Sequence, residues 1–180
     1  MGRTDQAANG RWLGRAAFLA AGAVWLCGCA GYHLGPTGGV VAGSRTVQFV
    51  PFENKTKEPR LIDALSVSLR QRLQEDGTYR LETRGTGDII VHGEITKFDR
   101  GALAFQPQST LTVQDFTLTM TAHVTATERF GGKTNLDTTV TGATVIRVGS
   151  DQTSAERQAV PLMADDLARK VVVLLSERPW

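Results

Sequence analysis

The chain has 180 residues, with 20 Lys and Arg against 18 Asp and Glu, and two Cys. This length fits one domain behind a leader. A net charge of +2 argues against the strongly basic surface that nucleic-acid binding needs. Cysteines only at positions 27 and 29 exclude a disulfide framework.

The chain opens with Arg3, Arg11 and Arg15, followed by an apolar run from Ala16 to Leu26. A membrane-crossing helix needs about 20 apolar residues, so this shorter run reads as a cleaved segment. Leu26-Cys27-Gly28-Cys29 then has the layout of a lipoprotein signal, in which small Gly28 precedes the acylated Cys29. Bulky Leu26 argues against Cys27 in that role. We read residues 1–28 as the signal peptide. The alternative is an ordinary secretory signal with an incidental cysteine. The leader takes three arginines and Asp5 with it, leaving a mature chain of balanced charge. Ala30 follows the acceptor cysteine; in a double-membraned bacterium, alanine there permits transfer to the outer membrane, whereas aspartate retains the protein at the inner one. Multiple acyl chains on Cys29 give firm attachment.

Residues 29–44, rich in Gly with Pro36, form a lipidated tether. Residues 45–52 (RTVQFVPF) alternate as a strand, with Pro51 marking its end or an edge. After the polar loop 53–58, residues 59–76 form a helix with Leu61, Ile62, Leu65, Leu69 and Leu73 on one face. Thr56 is the expected N-cap and Gly77 the C′ residue.

A short strand at 79–83, a turn at Gly85–Asp88 and a strand at 89–98 follow. Residues 99–110 read as irregular. From 112 to 128 apolar and polar residues alternate: Phe116, Leu118, Met120, Ala122, Val124 and Ala126 oppose a row of threonines and His123. Arg129–Lys133 makes the hairpin turn, and 134–148 returns. Gly142 within it marks a bulge or a close backbone approach. Residues 153–177 are helical, with Thr153 and Glu156 as a capping box and Pro161 predicting a kink or break. The fold class is α+β, a two-layer sandwich: a mixed, mostly antiparallel sheet of about four to five strands with two helices on one face.

No catalytic constellation emerges, so the reading is a non-enzyme without cofactor. His33, His92 and His123 have no metal-ligand spacing and no cysteine to join them. Gly132-Lys133-Thr134 imitates the end of a phosphate-binding loop, but position 127 is Thr, not Gly, and the segment joins two strands. There is no Gly-x-Ser-x-Gly elbow. Adjacent Asp165 and Asp166 diverge by about 100° around a helix and do not form an acid–base pair.

Cys29-Ala30-Gly31-Tyr32-His33-Leu34 resembles the opening of mature LptE lipoproteins. Phe52, Asn54 and Thr56 match that family's Phe-x-Asn-x-Thr loop. Gly87-Asp88, His92-Gly93-Glu94, the threonine hairpin and Asp166-Leu167-Ala168 follow in the family's order. The resemblance implies a single LptE-like domain at 45–180 and an outer-membrane lipoprotein facing the periplasm. Its implied partners are an LptD-type β-barrel, which it plugs, and lipopolysaccharide. A neutral, threonine-rich face suits the polar, wet lumen of a barrel. Lys97, Arg100, Arg129 and Lys133, placed near strand ends, are candidates for lipid phosphates. Leu103 and Phe105 are candidates for an apolar loop tip that inserts into the barrel or among acyl chains. Two other classes remain open: an adaptor lipoprotein of another envelope complex, and a periplasmic hydrolase with an unfamiliar site.

Overall fold

Two periodicities share the chain between two layers: period two over the long strands and 3.6 over the helices. The computed structural model describes residues 41–102, 114–148 and 152–180, all within one unit, Gly35–Trp180. Cys29, Leu103, Phe105, the leader and most of the tether lie outside the described residues. The elements are β1 (Thr46–Phe49), β2 (Glu53–Asn54), α1 (Arg60–Asp76), β3 (Arg80–Leu81), β4 (Ile89–Ala102), β5 (Gln114–Glu128), β6 (Thr134–Val148) and α2 (Gln152–Ser176).

The sheet order is β3-β1-β4-β5-β6, with β2 also paired to β4. Pairings of β1 and β2 are parallel, and β4-β5-β6 is antiparallel. Both helices cover one face, as expected for the two-layer α+β class. The six strands include two of only two residues; β2 lies within the segment read as loop.

β1 ends before Pro51, and β2 resumes the same lane along β4: the Val50 N–H donates to the Val91 carbonyl and the Lys55 N–H to the Ile95 carbonyl. Between them Phe52 folds into the core at 4% exposure. It occupies the space a side chain at position 93 would need, since a Cβ on Gly93 would lie 2.1 Å from its ring. The adjoining loop is folded by Asn54. Its Oδ1 accepts from the Thr56 N–H and hydroxyl at 2.9 and 2.7 Å, and its Nδ2 donates to the Glu58 carbonyl at 2.8 Å. Thr56 is therefore not the helix cap; Pro59 stands at that position with no side-chain cap. At the other end Gly77 takes φ 70° and closes α1 by donating to the Leu73 carbonyl.

Leu61, Leu65, Leu69 and Leu73 of α1 and Met163, Leu167, Val171 and Leu175 of α2 join the inward residues of β1, β4, β5 and β6 in one buried cluster. The helices run parallel. Arg72 grips Asp165 through two bonds of 2.6 and 2.5 Å, and the Ser176 hydroxyl donates to Asp76. Gly142 is a close approach: a Cβ there would lie 2.5 Å from the Met163 carbonyl oxygen. Pro161 does not break α2, which is one helix of 25 residues. Its missing N–H leaves the Arg157 carbonyl without its helical donor, and both residues are exposed, so water can replace that bond.

Candidate functional site

The helix-free face of the sheet is built by the alternation of β5 and β6. Thr117, Thr119, Thr121, Thr125 and Thr127 share it with Thr139 and Thr141. Hydroxyls bridge neighbouring strands at 3.2 Å, Thr121 with Thr141 and Thr127 with Thr134. His123 Nε2 lies 2.7 Å from Asp137, and Arg147 binds Asp115 at 3.1 Å. Val145 interrupts this polar surface at 60% exposure. His92 pairs with Thr125 and His123 with Glu94, so the two histidines are diagonal neighbours. Among the described residues no group of three or more His, Cys, Asp or Glu is arranged to hold a metal.

The four candidate cations separate into two clusters. Arg100 stands opposite Leu118 on β5, while Arg129 follows Glu128 at the far end of that strand. Ten residues at about 3.3 Å each place the clusters roughly 33 Å apart. A single phosphate reaches one or the other.

At the hairpin end, Gly131 and Gly132 take φ 96° and 65°, which turns the chain tightly. The Arg129 guanidinium lies 5.3 Å from the Phe130 ring centre and donates to the Thr86 carbonyl at 3.3 Å. Lys133 is exposed, with no ion pair among the described residues. Phe130, between the two cations, is 74% exposed. It went unmarked in the sequence, although an aromatic next to a Gly-Gly turn has little chance of reaching a core. This end also receives the chain from its N-terminal side: Arg45 binds Glu128 at 3.0 Å. Asp88 accepts from the Thr46 N–H and hydroxyl at 2.9 Å each. Those bonds, the backbone one foremost, hold the Asp88 carboxyl below its ordinary value.

At the opposite end a bulge alters the expected facing. The register shifts between Ile95 and Lys97, so β4 gains one residue over β5. One extra residue exchanges the two faces of everything beyond it. Strand β4 also runs on to Ala102, through part of the stretch read as irregular. Lys97 and Asp99 therefore lie on the threonine face, paired at 2.6 Å. Phe98 and Arg100 turn toward the helices. Arg100 binds Glu156 of α2 through two bonds of 2.8 and 3.0 Å and lies 4.9 Å from the Phe98 ring centre. Glu156, only 8% exposed, also accepts from Gln152. It is thus committed to a partner 56 residues away rather than to the capping box with Thr153.

Beside this bulge lies a cleft of about 430 Å³, with Lys55, Lys57, Lys97 and Arg100 among its walls and Glu58 as its carboxylate. Lys55 donates to Glu53 at 2.8 Å, a bond that raises the lysine and lowers the carboxylate from their ordinary values. Arg60 binds Glu58 likewise and lowers it. Lys55 and Lys57 were not singled out in the sequence; only the shared lane of β2 and β4 brings them opposite Lys97.

The family model for LptE, described as lipopolysaccharide-assembly, matches residues 44–175. No curated protein matches the chain. Among solved structures, the hypothetical protein CT253 from Chlamydia trachomatis is 12% identical, with a TM-score of 0.55 over 76% of this chain and 96% of that one. Protein XCC0632 from Xanthomonas campestris, described as DUF330, is also 12% identical, with a TM-score of 0.53 over 80% and 91%. At such identities the likeness concerns the fold alone. The family match spans the sheet and nearly all of both helices, and the motif residues Phe52, Asn54, Asp88 and Gly93 have defined places in that frame. This chain belongs to the LptE lipopolysaccharide-assembly family.

Proposed function

We propose that this chain is an outer-membrane lipoprotein, acylated on Cys29 after loss of residues 1–28, that plugs an LptD-type β-barrel and assists lipopolysaccharide transport and insertion. The family match over residues 44–175 carries this reading. The threonine face supports it. It is polar without being strongly charged, no described helix covers it, and its hydroxyls can exchange bonds with a wet barrel wall at little cost. The protein acts by binding rather than by catalysis.

In this reading Lys97, Arg100, Arg129 and Lys133 meet lipopolysaccharide phosphates as two separate clusters. Leu103 and Phe105 insert among acyl chains or into the barrel. The hairpin pair meets a phosphate without giving up an ion pair, whereas Lys97 and Arg100 must share or release Asp99 and Glu156.

The test is isolation from detergent-solubilised membranes through a C-terminal tag, with Cys29→Ala as the anchor control. Recovery of a large, heat-modifiable β-barrel in equal amount is expected. Recovery of the lipoprotein alone, or with a soluble partner, would replace the plug by an adaptor role.

A further inference from the structure

Strand β6 ends the sheet, with β5 on one side and no described strand on the other. The centre of its outer side is nevertheless hydrogen-bonded, to side chains of α2. The Ala143 N–H donates to Asp166 Oδ2 at 3.1 Å. Lys170 Nζ donates to the Thr141 carbonyl at 2.7 Å and to the same Oδ2 at 2.7 Å. Arg169 donates to the other carboxylate oxygen at 2.5 Å. One ion pair therefore gives the strand an acceptor for an N–H and a donor for a C=O. These are the two groups that a neighbouring strand would supply.

The sequence builds this contact from both sides. Asp166 and Lys170 stand four apart, on one face of the helix. Gly142 lies between the two strand residues they bind. A Cβ there would lie 2.5 Å from the Met163 carbonyl oxygen and 2.6 Å from the Leu167 Cβ. Without that Cβ, α2 comes close enough for a side chain as short as aspartate to reach the strand backbone. The Asp166 side chain is only 20% exposed as a result. At the hairpin end of the same strand, Arg178 donates to the Asn135 carbonyl at 3.3 Å.

The stretch so covered is one that pairs readily. Residues 138–146 (TTVTGATVI) contain no charge and no proline, and most are β-branched. On an edge, such a segment is a template for another strand. We propose that Asp166 and Lys170 close the β6 edge to strand pairing and so keep a second copy of this chain from adding there. Two identical edges would pair antiparallel about a two-fold axis, giving a closed dimer. To do so they must first strip the Thr141 carbonyl and the Ala143 N–H from an ammonium and a carboxylate. Such charge-assisted bonds are stronger than the neutral main-chain bonds that would replace them. The guard acts without the barrel or lipopolysaccharide.

An ion pair that only fastened α2 to the sheet would, when lost, lower stability without changing association. The molar mass of the lipidated chain in detergent, measured by light scattering over a range of concentrations, separates the two roles. Asp166→Ala with Lys170→Ala is expected to raise the mass roughly twofold over the unmodified chain, as one copy pairs with another. Asp165→Ala is the control: it breaks the Arg72 pair on the neighbouring residue and leaves the edge bonds alone. Its mass should not change. Adding Ala143→Pro to the double variant removes the outward N–H, a loss that an edge strand tolerates. It should return the mass to that of the unmodified chain.

An unchanged mass for the folded double variant overturns the proposal. Equal association of the Asp165→Ala control overturns it too, since general loss of stability would then be the cause. So does a double variant that stays associated after Ala143→Pro. If the double variant does not fold, Lys170→Ala decides alone. That side chain is half-exposed, and its loss frees the Thr141 carbonyl. It should raise the mass in proportion to concentration; a mass equal to that of the unmodified chain throughout removes the guard.

Discussion

The two ends of the sheet use the same residue types for different purposes. At the hairpin end, Arg129 and Lys133 flank an exposed phenylalanine and form no ion pair among the described residues. At the other end, Lys97 and Arg100 are both paired, and the Arg100 partner is a nearly buried glutamate on a helix. Position near a strand end does not by itself define a binding cation. What matters is what the side chain must release before it can bind. In the proposed reading the hairpin cations are the ones poised for a ligand, whereas Arg100 first of all joins the two layers.

The comparison depends on β4 as a continuous bar between the ends, and the bar is most easily broken at Gly93. A methyl group there meets the Phe52 ring at 2.1 Å, and the ring is enclosed. Gly93→Ala is expected to cost about 3 kcal/mol, the upper range for overpacking. Adding Phe52→Leu should return part of that loss. Urea unfolding of the single and double variants measures both, and a neutral single variant would disprove the contact. Arg100→Ser ranks next. It leaves the Glu156 carboxylate without its main partner at 8% exposure. Because Arg100 itself is partly exposed, we expect about 2 kcal/mol rather than the full cost of breaking a buried pair. Glu156→Gln in the Arg100→Ser background should cost less than the sum of the two changes. Strict additivity would show that the pair is not coupled.

These two sites differ in how far the sequence exposes them. The alternation of β5 and the leucine stripe of α1 are local patterns, and both are found where the periods place them. Gly142 likewise marks a close approach to α2. The bulge at Thr96 has no such signature, because Glu-Ile-Thr-Lys-Phe-Asp-Arg reads equally well with or without an extra residue. Only pairing with β5 fixes it, and that single residue moves Arg100 from the open face to the helices. Glu156 shows the same limit. Its spacing from Thr153 satisfies a local capping rule, but a cation 56 residues away offers a stronger bond. Phe52 and Gly93 were legible as a family motif but not as a contact, since their complementarity is one of shape across β1, β2 and β4.

Near the hairpin end, acid supplies a third test. Asp88 receives two bonds from Thr46, and its carboxyl is held below the ordinary value. A folded-state value below the unfolded one means the stabilisation is complete above about pH 4 and is lost as the pH falls through the folded value. Asp88→Asn is expected to cost about 1 kcal/mol at pH 7. The gap to the unmodified protein should narrow as the pH falls below about 4 and Asp88 takes up its proton, which leaves both side chains neutral. Unfolding curves at pH 7, 4 and 3 measure this; a gap that stays constant would remove the charge from the explanation.

The smallest effect on stability belongs to the residues with the largest proposed part in binding. Arg129 and Lys133 are exposed, and neither has an ion pair among the described residues. Replacing both with Ser should change stability by no more than about 0.5 kcal/mol. The same change should weaken binding to lipopolysaccharide micelles, and most strongly at low salt, because exposed charges act through a screened field. Lys97→Ser with Arg100→Ser should give the opposite profile, with a clear loss of stability. Comparing both double variants by unfolding and by binding sets the two ends side by side. If the hairpin variant keeps full binding while remaining folded, the poised cations are ordinary turn charges. The phosphate contact then has to be sought at the bulge, where any ligand must compete with Asp99 and Glu156.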